Sequence, residues 1–180
     1  MPRVRTTHDA QRTTRYTADL HIHTLLSPCA EIEMIPPLIV RQALVLGLDW
    51  IAITDHNAAT NVRAVQDAAR GTGLTVSAGL EVESREEVHV LCLFDGAAEA
   101  EAWAQTVASH LPARANDENR FGAQYVVDAG GNYVRTEERL LATSTSLTLE
   151  QIVVGVAKLG GVAIPAHVDR PANSLLANLG

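Results

Sequence analysis

Asp19-Leu20-His21-Ile22-His23-Thr24 and Thr54-Asp55-His56-Asn57 are the two stretches on which the reading of this chain turns. Each closes a short apolar run. Tyr16 to Ile22 alternates in hydropathy and Trp50 to Thr54 is nearly all apolar, so both predict short strands. His21 and His23 are two apart, which on a strand puts both rings on one face. Histidine is neither a strong strand former nor a cheap core residue, but neutral imidazole is the commonest metal ligand. The same placement recurs along the chain. Glu81 follows a third predicted strand, Leu74 to Ala78. His89 lies near the start of a fourth, Val88 to Phe94, and His167 follows Val162 to Pro165. Five of the seven histidines therefore sit at strand ends. In a parallel barrel all strand C-termini open on one face. The pattern predicts one metal site built from His21, His23, His56, Glu81, His89 and His167, and with it metal-assisted hydrolysis. His8 and His110 fall outside the pattern and read as solvent-exposed.

Between the strands lie helical signals. Pro36-Pro37 opens a helix that Gly47 ends, Thr60 or Asn61 caps a second, Ala97 to His110 is a third, and Leu147 to Leu159 is a fourth. Strand and helix alternating with short links predicts right-handed crossovers and a mostly parallel sheet. The segment 111–138 breaks this rhythm. Gly130-Gly131 separates a hairpin-like pair, Gln124 to Asp128 and Asn132 to Arg135, and the segment reads as an insertion or long loop leaning over the site.

The chain has 180 residues, 47% of them hydrophobic, with a net charge of −7. That suits one α/β domain over 16–180, preceded by a flexible leader over 1–15 that lacks the apolar core of a signal peptide. No apolar run reaches the roughly 18 residues that span a membrane. Cys29 and Cys92 do not make a disulfide framework, so a cytoplasmic location is the default. The acidity argues against strong general nucleic-acid binding.

Among the other candidates, Asp55 is expected to orient an imidazole as a hydrogen-bond acceptor. Asp19 either does the same or caps a turn. Cys29 reads as a small buried loop residue, with soft-ligand and redox roles as alternatives. Arg135 and Arg170 are either phosphate clamps or solvated surface arginines. No glycine-rich phosphate cradle is present.

At these residues the chain resembles the PHP family, the polymerase and histidinol phosphatase domain. The resemblance runs from about Tyr16 to the end and rests on the two opening motifs, Gly79-Leu80-Glu81, His89 and Ala166-His167. It implies a distorted (β/α)7 TIM-like barrel with up to three metal ions at its strand C-termini, in a family whose members hydrolyse phosphoesters. By the same resemblance His21, His23 and Glu81 hold one ion, Glu81 bridges to a second held by His89 and His167, and His56 belongs to a third. Imidazole with carboxylate suits Zn, Mn or Fe better than Mg. The implied activity is hydrolysis of a phosphate ester by a metal-activated hydroxide, with Asp55, Glu81 and His167 carrying catalysis. The expected partner is a small phosphorylated substrate or nucleotide, or an oligonucleotide end.

Two departures from the family pattern stand out. A family aspartate expected five residues after the second motif histidine corresponds to Pro28, which has no ligand atom. The family's final Asp-x-His pair does not follow His167 before Gly180. These predict reduced metal occupancy and a barrel lacking its last strand or strands, with an exposed edge that favours a homo-oligomer. They also motivate an alternative function, a metal-binding regulatory or interaction module without turnover. An amidohydrolase barrel often adds a bridging lysine, and the only lysine here, Lys158, falls on a predicted helix.

Overall fold

The computed structural model describes residues 15–180. The expected leader therefore lies, except for Arg15, outside the described residues. In chain order the elements are β1 (Ala18–Ile22), α1 (Pro36–Val45), β2 (Trp50–Ile53), α2 (Val62–Ala68), β3 (Thr75–Glu83), β4 (His89–Phe94), α3 (Ala97–His110), α4 (Glu118–Phe121), β5 (Tyr125–Val127), β6 (Tyr133–Thr136), α5 (Leu149–Lys158), β7 (Val162–Pro165) and α6 (Leu175–Leu179).

Local chemistry accounts for the helices. α1 starts on Pro36-Pro37 and buries Ile39, Val40 and Ala43. Gly47, at φ +67°, then takes a left-handed conformation that other residues resist. α3 turns Ala97, Ala100, Trp103 and Val107 inward at helical spacing. α5 opens with a reciprocal capping box. The Thr148 side chain accepts from the Gln151 amide at 3.1 Å, and the Gln151 side chain accepts from the Thr148 amide at 2.8 Å.

β1, β2, β3, β4 and β7 form one five-stranded sheet in that order, curled into part of a barrel. Helices α2, α3 and α5 pack on it over a core that includes Ile51, Ile53, Leu80, Val82, Val90, Trp103 and Ile152. This is the expected TIM-like architecture, with two differences. β1–β2 and β2–β3 are parallel, but β3–β4 and β4–β7 are antiparallel. β3 is also longer than its predicted span, and Glu81 lies inside it rather than beyond it.

One cause explains both differences. A tight connection over Ser84–Val88 returns the chain, with Ser84 donating to the Val88 carbonyl at 2.9 Å and Glu87 at φ +57°. β4 then pairs back along β3, Glu81 opposite Leu91 and Glu83 opposite His89. Gly79 resembles a strand terminator in sequence. In the sheet it is a close-approach position, where a Cβ would stand 2.8 Å from the Cys92 carbonyl and 3.2 Å from that of Ile53.

The 111–138 segment carries regular structure, with a hairpin at the hairpin-like pair of the sequence. It holds α4 and the β5–β6 hairpin, and Leu26, Ala58, Leu111, Val126 and Leu141 make a small second core beneath it. Gln124 is fully buried and donates to the carbonyls of Glu137 and Arg139 while accepting from the Leu141 amide. The hairpin docks on the first motif loop, Tyr125 donating to the Leu25 carbonyl at 3.2 Å. β7 is one of the two outer strands of the sheet, with Val162 and Ile164 exposed. No described helix is long and apolar enough to cross a membrane.

Candidate metal centre

The antiparallel course of β4 is what assembles the site. It brings the first residue of β4, His89, to the same end of the sheet as the last residues of β1, β2 and β7. Beyond β2 the chain keeps pairing with β3: Glu81 donates to the Asp55 carbonyl at 3.0 Å, and Asn57 donates to that of Glu81 at 2.8 Å. His56 is thereby laid beside Glu81. Ala166 donates to the His89 carbonyl at 2.9 Å, which sets His167 beside His89. His167 takes φ +28°, an uncommon backbone state for a residue with a side chain.

The result is a closed ring of five imidazoles around one carboxylate. Successive ring centroids lie 5.1 Å apart for His21–His23, 4.6 Å for His23–His56, 5.4 Å for His56–His89, 5.1 Å for His89–His167 and 6.2 Å for His167–His21. Glu81, only 1% exposed, points into the middle. Its Oε1 meets His21 Nε2 at 3.2 Å, His89 Nδ1 at 3.0 Å and His167 Nε2 at 3.5 Å. Its Oε2 meets His23 Nε2 at 3.2 Å and His56 Nδ1 at 3.3 Å. All six residues expected from the sequence are brought together.

Asp55 acts through an intermediary. Its fully buried carboxylate accepts from the Thr24 amide at 2.7 Å, the Thr24 hydroxyl at 2.8 Å and the Ser27 hydroxyl at 2.7 Å. Ser27 has one hydroxyl proton, and Asp55 takes it when ionised. Ser27 Oγ then accepts from the His56 amide and from His23 Nδ1, each at 3.0 Å. His23 thus carries a proton on Nδ1 and turns Nε2 toward the centre. Asp19 touches no imidazole; its carboxylate accepts from the His21 amide at 3.1 Å.

Burial drives the protonation states. It pushes Asp55 up to about 6, against the charge of His23 and the hydrogen bonds from Ser27 and Thr24. It pushes His56 down to about 3, with the Glu81 charge opposing. It lowers His167 as well, again against Glu81. Burial alone would raise Glu81, but hydrogen bonds from His21, His23 and His89 outweigh it and hold the carboxyl well below its ordinary range. Glu81 thus stays ionised, with the proton affinity of His56 and His167 lowered beside it.

That donor set fits divalent cations. His56 Nδ1, His89 Nε2 and His167 Nδ1 are buried without a hydrogen-bond partner. His21 Nε2 and His23 Nε2 face each other at 3.1 Å while both face Glu81. Nitrogens and oxygens this close could together hold metal ions.

The remaining candidates divide. Arg170 lies in the turn after His167, donating its amide to the His167 carbonyl at 3.0 Å, and its charge helps depress His167. Arg135 stands on β6, paired with Glu137 at 3.0 Å. Cys29 is exposed rather than a buried loop filler, and its sulfur stands close to His23 and His56.

Three positions escaped the sequence reading. Ser27 looked like loop. Glu83, 3.8 Å from His89 Nε2, is hidden until β3 is extended and paired. Asn57, at φ +50°, donates to the carbonyls of Leu141 and Thr143 and accepts from the Glu83 amide, tying the second motif to the far loop. Its signal was available, since asparagine tolerates the left-handed region.

The PHP domain family matches residues 19–165. No curated protein matches the chain. Among solved structures, endonuclease Q of Pyrococcus furiosus, a lesion-specific endonuclease, is 20% identical with a TM-score of 0.62, covering 89% of this chain and 36% of its own. A protein assigned as a metal-dependent phosphoesterase from Bifidobacterium adolescentis is 20% identical with a TM-score of 0.58, covering 88% of this chain and 69% of its own. A complex of endonuclease Q with a 27-mer duplex carrying an abasic lesion at the active site is 20% identical with a TM-score of 0.60, covering 89% of this chain and 37% of its own. This chain thus spans little more than a third of endonuclease Q. At these identities the likeness is one of fold.

These neighbours overturn the expected partners, a small phosphorylated substrate or nucleotide without strong general nucleic-acid binding. A molecule of this fold takes duplex DNA at its active site. The net charge of −7 is a whole-chain sum, whereas phosphate is bound by the local field, and cations at such a site reverse its sign.

Proposed function

The chain belongs to the PHP domain family, and from that premise we propose that it is a metal-dependent hydrolase of phosphate esters. The observation that carries this reading is the placement of five imidazoles around the two oxygens of one buried carboxylate, Glu81. His21, His23 and Glu81 would hold one cation, Glu81, His89 and His167 a second, and His56 would serve a third. Bound cations of the Zn, Mn or Fe type supply Lewis acidity, activating water as the nucleophile and offsetting charge on the phosphoryl group.

The chain's own residues do the rest. Glu81 keeps its negative charge because three imidazoles hydrogen-bond to it, so it arrives at the cations already ionised. His56 and His167, with lowered proton affinity, offer lone pairs without first releasing a proton. Asp55 positions His23 through Ser27. His21, the most exposed of the five rings at 31%, marks the side from which a substrate enters. Arg170, whose charge acts on His167, would meet the phosphate. Cys29 and Cys92 are free thiols, which suits a reducing compartment such as the cytoplasm.

Turnover by the chain, with and without Mn2+ or Zn2+, on a chromogenic phosphomonoester, a phosphodiester and a duplex with an abasic site tests the reading. Cation-dependent hydrolysis that disappears in Glu81→Gln is expected. A chain that carries stoichiometric metal and cleaves none of the three esters overturns it and leaves a binding module without turnover.

A further inference from the structure

We propose that Cys29 is a metal ligand, and that Cys29, His23 and His56 form a sulfur-containing corner of the centre selective for a soft divalent cation such as Zn2+. The inference rests on the reading of the centre as cation-binding and adds to it a ligand and a selectivity. Cys29 Sγ and one ring nitrogen from each of His23 and His56 lie within 4.8 Å of one another. His56 is 9% exposed, and its Nδ1 has no hydrogen-bond partner. His23 and His56 are each shared with a neighbouring group around Glu81, so Cys29 is the residue particular to this corner.

The loop is shaped to present the sulfur. Ala30 donates to the Ser27 carbonyl at 2.9 Å, closing a four-residue turn with Pro28 and Cys29 in the middle. Proline presets the second position of such a turn. Pro28, which carries no ligand atom, thus aims the residue after it. The turn is anchored at both sides. Ser27 is tied to Asp55, and Gly122, at φ +97°, lies so close beneath that a Cβ there would come within 2.7 Å of the Pro28 carbonyl. Cys92, by contrast, lies in the core.

On binding, the Cys29 thiol gives its proton to solvent and the sulfur joins the cation as thiolate. Thiolate with imidazole favours Zn2+, Co2+ or Fe2+ over the oxygen-preferring Mg2+. The corner deprived of a ligand atom at Pro28 regains one, and a softer one, at Cys29.

Loading the full chain with Co2+ and recording its spectrum tests the proposal. A thiolate-to-cobalt charge-transfer band in the near ultraviolet, kept in Cys92→Ala and lost in Cys29→Ser, is expected. Cobalt retained by elemental analysis without that band overturns the sulfur ligand and leaves the hydrolase reading standing. A chain that retains neither Co2+ nor Zn2+ overturns both. Maleimide labelling of the unmutated protein tests the point without any variant. Saturating Zn2+ should slow alkylation of Cys29 by about tenfold or more, and Mg2+ should leave it unchanged. Equal rates with Zn2+ bound overturn the proposal.

Discussion

Ser27→Ala removes one hydroxyl and should disturb both the fold and the centre. Ser27 is fully buried and its hydroxyl makes three hydrogen bonds, to Asp55 at 2.7 Å and from His23 Nδ1 and the His56 amide at 3.0 Å each. Losing a bond to an ionised carboxylate costs about 1.5–3 kcal/mol, and an orphaned buried amide about 1–3 kcal/mol. The two overlap, since the site can relax, and the expected loss is about 3 kcal/mol. With a urea slope of about 2 kcal/mol per molar, the unfolding midpoint of the metal-free chain falls by about 1.5 M. His23 also loses the acceptor that sets its tautomer, so Zn2+ affinity should fall about ten- to hundredfold. In an Asp55→Asn background the same change should cost less, with a coupling of about 1 kcal/mol, because the two groups act as one unit. Unchanged unfolding and unchanged Zn2+ affinity in Ser27→Ala would refute the relay.

Glu81→Gln keeps the volume of the central side chain but removes the charge shared by two of the cation groups; bound metal by elemental analysis should fall by the cations those groups hold, and hydrolysis should fall to background. The metal-free chain should show opposing proton linkages. His56, lowered by burial to about 3, contributes stability that is present above pH 6.5 and lost as pH falls toward 3. Asp55, raised by burial to about 6, contributes stability that is present below pH 3.8 and lost as pH rises through 6. Between pH 6 and 4 each runs at up to about 1.4 kcal/mol per pH unit with opposite sign, so Asp55→Asn should make acid destabilisation steeper, by urea titration at each pH. Gly79→Ala places a Cβ 2.8 Å from the Cys92 carbonyl, a backbone atom that cannot swing aside. It should cost about 1–3 kcal/mol in thermal or urea unfolding without altering any metal ligand.

Much of the site was legible because the signal is local. His21 and His23 share a strand face by the period of two, and the helix spans follow from Pro36-Pro37, the Thr148 cap and the Gly47 stop. The third strand was read short because glycine marks turns more often than it marks tight packing. At Gly79 the neighbouring strand decides between the two, and no local pattern reports that strand. The direction of β4 was equally invisible: His89 at the start of a strand is anomalous in a parallel sheet and natural in an antiparallel one. Cys29 and Pro28 show the same limit on a smaller scale. Matched position by position, Pro28 is a missing ligand; seen in its turn, it directs its neighbour.

The sequence by itself determined which ligand types exist, which of them pair on one strand face, and where four of the six described helices lie. Each of these depends on residues a few positions apart. Tertiary structure alone decided the antiparallel return of β4, the inclusion of Glu81 in β3, the closing of the imidazole ring and the link from Asp55 through Ser27 to His23. These depend on hydrogen bonds between distant residues, Ser27 with Asp55 across 28 positions and Asn57 with Leu141 across 84. Such bonds form only when strand pairing has removed water from both partners, and pairing direction is a property of the whole sheet.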